Sequence, residues 1–147
     1  VVKRIEIIND LETFQGTCYV EIIPGKYSGK DWVKGSLFFT DETFTFFSKA
    51  IEKHYKNYSL WGISEINRDT WKLIVAELEN LKLFLTNNPK AEDLNNQIEF
   101  LYLETTKKFF LGNLNQNLKD LVQVLDDLQL WITEKSKNNE YISILGV

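Results

Sequence analysis

A chain of 147 residues that is 44% hydrophobic and 26% charged has the make-up of one globular domain and not of a disordered tail. Its net charge of −4 and its lack of a Lys/Arg cluster argue against a nucleic acid partner, and no apolar run approaches the roughly 20 residues of a membrane-spanning helix. The single cysteine, Cys18, excludes an internal disulfide and favours a reducing, cytoplasmic setting.

Residues 1–10 carry charges at Lys3, Arg4 and Glu6 and lack the apolar stretch of a signal peptide. Residues 3–8 and 17–23 are short, rich in Val, Ile and Tyr, and read as strands. Pro24 to Lys30 reads as a loop. The run Gly25-Lys26-Tyr27-Ser28-Gly29-Lys30-Asp31 has one residue too few between its glycines for a phosphate-binding loop. Asp31 stands where a magnesium-binding hydroxyl belongs, so the run is expected to be a turn between strands. Residues 32–39 read as a third strand, with Gly35 marking a bulge or a close backbone approach.

Thr40-Asp41-Glu42 opens a helix, because a hydroxyl caps free backbone N–H groups and acids suit the positive end of the helix dipole. Phe44, Phe47, Ile51 and Tyr55 then follow at spacings of three and four on one face. Residues 58–63 read as a fourth strand. Asn67 caps the next helix, over 68–85, whose apolar residues cover most of its circumference; it is expected to be central and packed on more than one side. Asn87-Asn88-Pro89 stops it. Residues 97–103 and 108–111, rich in β-branched and aromatic side chains, read as a β-hairpin, with a long helix through 92–111 as the rival. Leu114, Leu118, Leu121, Leu125, Leu128 and Ile132 form the apolar stripe of a last helix within 113–135. Residues 141–145 add an edge strand or pack on that helix. The expected fold is a single α+β domain over 1–147, with a mixed or antiparallel sheet of about five to six strands against about three helices.

Ten Phe, six Tyr and four Trp make an aromatic core the expectation, and Trp32, Trp61, Trp71 and Trp131 read as core and not as walls of a ligand pocket. His54 is the only histidine and Cys18 the only thiol, so a zinc set built from these alone cannot be filled, and no acidic loop has the calcium-binding pattern. His54 falls near a helix end, where its imidazolium suits the terminal carbonyls. A Cys18–His54 nucleophile pair would need the fold to bring the two together. Cys18, between Thr17 and Tyr19, reads instead as a buried mid-strand thiol. Neither a nucleophile elbow nor a dinucleotide fingerprint occurs, so no catalytic residue, cofactor or metal is assigned.

The last helix carries the one patterned surface. Opposite its Leu stripe lie Gln116, Gln123, Asp127 and Glu134, with Asp120 and Asp126 at the margins and Leu130 in the middle. An apolar anchor ringed by acids can fill a pocket while the acids orient a basic partner, which makes Gln123, Asp126, Asp127, Leu130 and Glu134 the candidate partner-binding residues. The alternative is a solvated face with Leu130 covered by residues 141–145.

Trp32-Val33-Lys34-Gly35 leading to Phe38-Phe39, then Trp61-Gly62-Ile63-Ser64, then Asn67-Arg68-Asp69-Thr70-Trp71, and finally residues 125–132 with Asp126-Asp127 and Trp131-Ile132, give a pattern across most of the chain. It resembles the small acidic immunity proteins that bacteria pair with polymorphic or contact-dependent growth-inhibition toxins. Those proteins share no universal motif, so no functional residue carries over. The resemblance implies a cytoplasmic, non-enzymatic protein that binds a toxin domain and blocks its active site or its access to substrate; the net charge of −4 is compatible with a basic one. A dimerisation module and a small-molecule-binding domain are the alternatives.

Overall fold

The computed structural model describes residues 4–8 and 18–147. Along them run β1 (Tyr19–Pro24), β2 (Leu37–Thr40), α1 (Asp41–Thr45), α2 (Ser48–His54), β3 (Ile63–Asn67), α3 (Arg68–Thr86), α4 (Lys108–Gly112), α5 (Leu114–Ser136) and β4 (Tyr141–Leu145). The strands form one antiparallel sheet in the order β2-β1-β4-β3. The class is the expected α+β, with four strands among the described residues where five to six were expected, and more, shorter helices than three.

Side chains alternate across a pleated strand. Val20, Ile22, Phe39, Ile66, Ile142 and Ile144 therefore enter one hydrophobic core with Phe44, Phe46, Phe47, Trp71, Leu78 and the inner stripe of α5. Their neighbours Tyr19, Glu21, Phe38, Leu145, Ile63 and Glu65 are left on the opposite, outer face. α3 and α5 lie side by side and run antiparallel, as the cross-links Gln129–Val75 and Lys82–Asp126 require.

Both expected N-caps are present: Thr43 N–H donates to Thr40 Oγ1 at 3.1 Å, and Thr70 N–H to Asn67 Oδ1 at 2.8 Å. α3 ends at the Asn87-Asn88-Pro89 stop, with Asn88 at a φ of 50°. The face of Phe44, Phe47 and Ile51 is buried, but the chain breaks into α1 and α2 around Phe46-Phe47, so that Phe46 is buried too, against Phe100 and Phe110.

Several expectations are corrected. Of residues 3–8, the described part makes only one bridge, Ile8 to Phe38. Residue 17 lies outside the described residues, and the strand begins at Tyr19. Residues 32–36 are a turn and not a strand: Ser36 N–H donates to Val33 O, and Gly35, at a φ of +89° with open space around it, permits the reversal. Residues 59–62 also turn, through Gly62 N–H to Ser59 O, which delays β3 to Ile63.

Residues 92–111 form neither a hairpin nor a long helix. A 3-10 turn (Ala91–Asn96) and a π turn (Leu103–Lys107) lead into α4. Tertiary anchors hold this path: Leu94, Ile98 and Phe110 are buried, and the buried Thr106 hydroxyl donates to Glu42 Oε2 at 3.1 Å. Their spacings of four and eight suit helix and strand alike, so these distant contacts, and not a local period, decide the path. Residues 141–145 do form a strand, but a central one between β1 and β3, because Ile142 and Ile144 enter the core while Ser143 turns its hydroxyl to Gly25 O at 2.7 Å. α3 packs on both α2 and α5, yet Leu73 and Leu83 stay more than half exposed.

Candidate protein-binding surfaces

On α5 the structure brings Gln123, Asp127 and Leu130 to the outer surface as the helical spacing requires. Leu130 is 65% exposed, and residues 141–145 do not cover it, being inside the sheet. The acids are largely committed elsewhere. Asp126 is drawn into the seam with α3, its Oδ1 2.9 Å from Lys82 Nζ, and Lys82 also meets Glu79 at 3.0 Å. Hydrogen bonds to these two carboxylates, Asp126 first, hold the Lys82 ammonium above its ordinary range. Gln123 donates to Asp127 Oδ1 at 2.9 Å. Glu134 pairs with Lys137 at 2.9 Å, and that hydrogen bond lowers its carboxyl below the usual range.

The second surface is the outer face of the sheet, and sequence reading did not assign it. The chain between β1 and β2 folds back over this face as a strap. Glycines at 25 and 29, both at a φ of +87°, supply its reversals. Glu21, 1% exposed, lies beneath it and accepts hydrogen bonds from Trp32 N–H and Val33 N–H, both at 2.9 Å. Glu65 on β3 accepts from Tyr27 N–H at 3.0 Å. Charged acceptors make these bonds strong, and the strap is thus tied to two strands.

The ties hold Trp32 at a φ of 61°, a region that a bulky side chain enters only at a cost of roughly 1–3 kcal/mol. Its indole is 63% exposed, packs at an angle against Tyr19 and donates from Nε1 to the Tyr19 hydroxyl. Trp61, at the turn before β3, is 73% exposed, and Ile63 beside it is more than half exposed. Trp71 behaves as expected, buried with Nε1–H donating to Ile142 O at 3.0 Å, and Trp131 is half-buried. Trp32 and Trp61 therefore correct the expectation of four core tryptophans.

Between the strap and the ends of β3 and β4 lies an open cleft of about 300 Å³, lined by Tyr19, Glu21, Tyr27, Asp31, Ile63 and Leu145 together with the last two residues. Among the described residues, the side-chain carboxylates of Glu21 and Asp31 line it, and no Lys, Arg or His does. Partial burial, then the Asp31 and Glu21 carboxylates, push the Tyr27 phenol above its usual range. Gly146 closes the floor through its N–H to Gly62 O at 2.9 Å, and a side chain there would collide with the Leu60 carbonyl. The only sequence signal for this site was an acid in the middle of an apolar strand, Glu21 within Tyr-Val-Glu-Ile-Ile-Pro.

Cys18 is exposed just before β1, not buried within a strand. His54 ends α2 as expected, its Nε2 3.3 Å from Glu77 Oε1. Among the described residues no group of three or more His, Cys, Asp or Glu is placed to hold a metal, and no helix is long and apolar enough to cross a membrane.

Fold and surface define an α+β domain on a four-stranded antiparallel sheet, with aromatic side chains displayed around an acidic cleft. Comparison with protein-family models, with curated proteins and with solved structures finds no match to this chain.

Proposed function

We propose that the chain is a non-enzymatic, cytoplasmic protein-binding domain, of the immunity type that neutralises a bacterial toxin, and that it engages its partner through the strap side of the sheet. The observation that carries this reading is the exposure of Trp32, packed on the cleft-lining Tyr19, and of Trp61, two residues before the cleft-lining Ile63, beside a cleft in which Glu21 and Asp31 are, among the described residues, accompanied by no cation. Tryptophans in such positions are the side chains that dominate binding energy at protein interfaces, and fixed acids orient a basic partner. The strained backbone at Trp32 supports it further, since the strap holds there, at that cost, an indole that stays mostly exposed.

The experiment is co-expression and co-purification with the product of the adjacent gene, followed by Trp61→Ala and Leu130→Asp. Loss of at least tenfold in affinity with Trp61→Ala, and little change with Leu130→Asp, is the expected outcome. The exposed Leu130 supports a second reading, in which Gln123, Asp127 and Leu130 form the contact and Asp126 and Glu134 flank it. The reverse pattern of losses would establish that one and remove the first.

A further inference from the structure

The sheet has two edges, and they are finished differently. The outer edge of β2 is met by Ile8, whose N–H donates to Phe38 O at 2.8 Å. The outer edge of β3 meets nothing among the described residues. Antiparallel ladders alternate, and the pairs Gly62–Gly146 and Arg68–Glu140 fix the phase: even-numbered positions bond β4, and Ile63 and Glu65 turn N–H and C=O outward. Natural edge strands are commonly blunted by proline, lysine, a bulge or a covering segment. Ile63-Ser64-Glu65-Ile66-Asn67 has neither proline nor lysine, pairs with β4 without a bulge, and carries an exposed Ile63 with Trp61 just before it.

We propose that this edge accepts an extended, lysine- or arginine-bearing segment of a partner protein as a fifth strand, a mode that rests on the protein-binding reading above. Charge selects the occupant. Glu65 is the acid on the outer face of the edge strand, and cross-strand neighbours of opposite charge are favoured. Ile63 separates the edge from the cleft it helps to line, where Glu21 and Asp31 stand with no cation among the described lining residues. A strand added about 4.8 Å beyond β3 places a long basic side chain where it can reach over Ile63 toward that cleft. A second copy of this chain is disfavoured, since antiparallel self-pairing centred on Glu65 sets two carboxylates opposite one another.

The test uses the full chain and two synthetic hexapeptides, alternating Lys-Val and alternating Glu-Val, with amide hydrogen exchange followed residue by residue. The Lys-Val peptide at millimolar concentration is expected to slow exchange at Ile63 and Glu65 at least tenfold. The Glu-Val peptide, and a Lys-Val peptide methylated on alternate backbone nitrogens, are expected to leave both unchanged. Ile63→Pro removes an outward N–H without touching the β4 ladder and should abolish the protection; Ile63→Thr, which keeps that N–H, should retain it. No slowing with any peptide, equal slowing with both charges, or slowing confined to α5 around Leu130 overturns the proposal. So does protection of Ile63 and Glu65 in the peptide-free protein together with a dimer by sedimentation. A natural partner that Trp61→Ala releases and Ile63→Pro still holds would sink strand addition alone and leave the protein-binding reading standing.

Discussion

Two surfaces of this molecule carry apolar side chains beside acids, and they are built in opposite ways. On α5 the pattern is local: Leu130, Gln123 and Asp127 come from one helix, and Asp126 and Glu134 are tied to Lys82 and Lys137. On the strap side the pattern is assembled from distant segments, with Glu21, Tyr27, Trp32 and Ile63 brought together by strand pairing and by a loop folded back on the sheet. A carboxylate already satisfied by a lysine has little left to offer a partner. Among the described residues the cleft carboxylates have no cationic neighbour in the lining, and Glu21 spends its bonds on fixing an aromatic in place. Periodic spacing thus identifies a surface without saying whether its charges are available.

The sharpest break between the inner and outer sides of α5 is Leu128 against Leu130. Leu128→Ala empties part of the core and should cost about 2–5 kcal/mol in a urea titration, while Leu130→Ala should change stability by less than about 0.5 kcal/mol. A large effect at Leu130 would mean that it is covered and would remove α5 as a surface.

Next in size is the strap tie. Glu21→Gln keeps the shape but replaces one acceptor oxygen by a donor facing a strap N–H, and should cost about 1–3 kcal/mol. Faster amide exchange at Trp32 and Val33 should accompany the loss. An unchanged strap would show that Glu21 does not organise that side. Trp32→Gly relieves the backbone strain and should leave stability unchanged or raise it by about 1 kcal/mol, while weakening partner binding. If it lowers stability and spares binding, Trp32 is structural and the contrast between the two surfaces collapses.

The smallest effect is a pH control lying on neither surface. Glu77 on α3 meets Lys53 at 3.0 Å and His54 at 3.3 Å, and the Lys53 hydrogen bond chiefly holds its carboxyl below the ordinary 4.5. A depressed acid stabilises the fold above its unfolded value, and that contribution fades as pH falls through the folded one. Asp41, raised by burial, acts with the opposite sign, since its protonation on acidification favours the fold. Glu77→Gln should therefore flatten the loss of stability below about pH 4.5 and leave the neutral-pH behaviour of both surfaces as it was. An acid limb of the stability curve identical to the wild type would remove Glu77 as its source.

Local chemistry read well where one segment carried its own rule. The caps at Thr40 and Asn67, the proline stop after α3 and the inner stripe of α5 all follow from a few adjacent side chains. It read poorly at residues 92–111, where β-branched and aromatic content suggested strands. Those side chains answer instead to α1 and the break after it, through Glu42–Thr106 and the ring cluster of Phe46, Phe100 and Phe110. The α5 residues were placed on their helix; Lys137, three residues beyond Glu134, lies within the reach of local spacing, but Lys82, which ties Asp126 from α3, does not.

By itself the sequence determined the class of the fold, the two long helices and the inward faces of most elements, because periodicity and capping act over a single turn or pleat. Only the tertiary structure decided that residues 141–145 are the middle of the sheet, that Trp32 and Trp61 face outward, and that Glu21 lies beneath the strap. Those outcomes depend on which distant backbone supplies the hydrogen-bond partner. In an antiparallel sheet that choice is settled by the combined burial of several strands and not by the residues of any one.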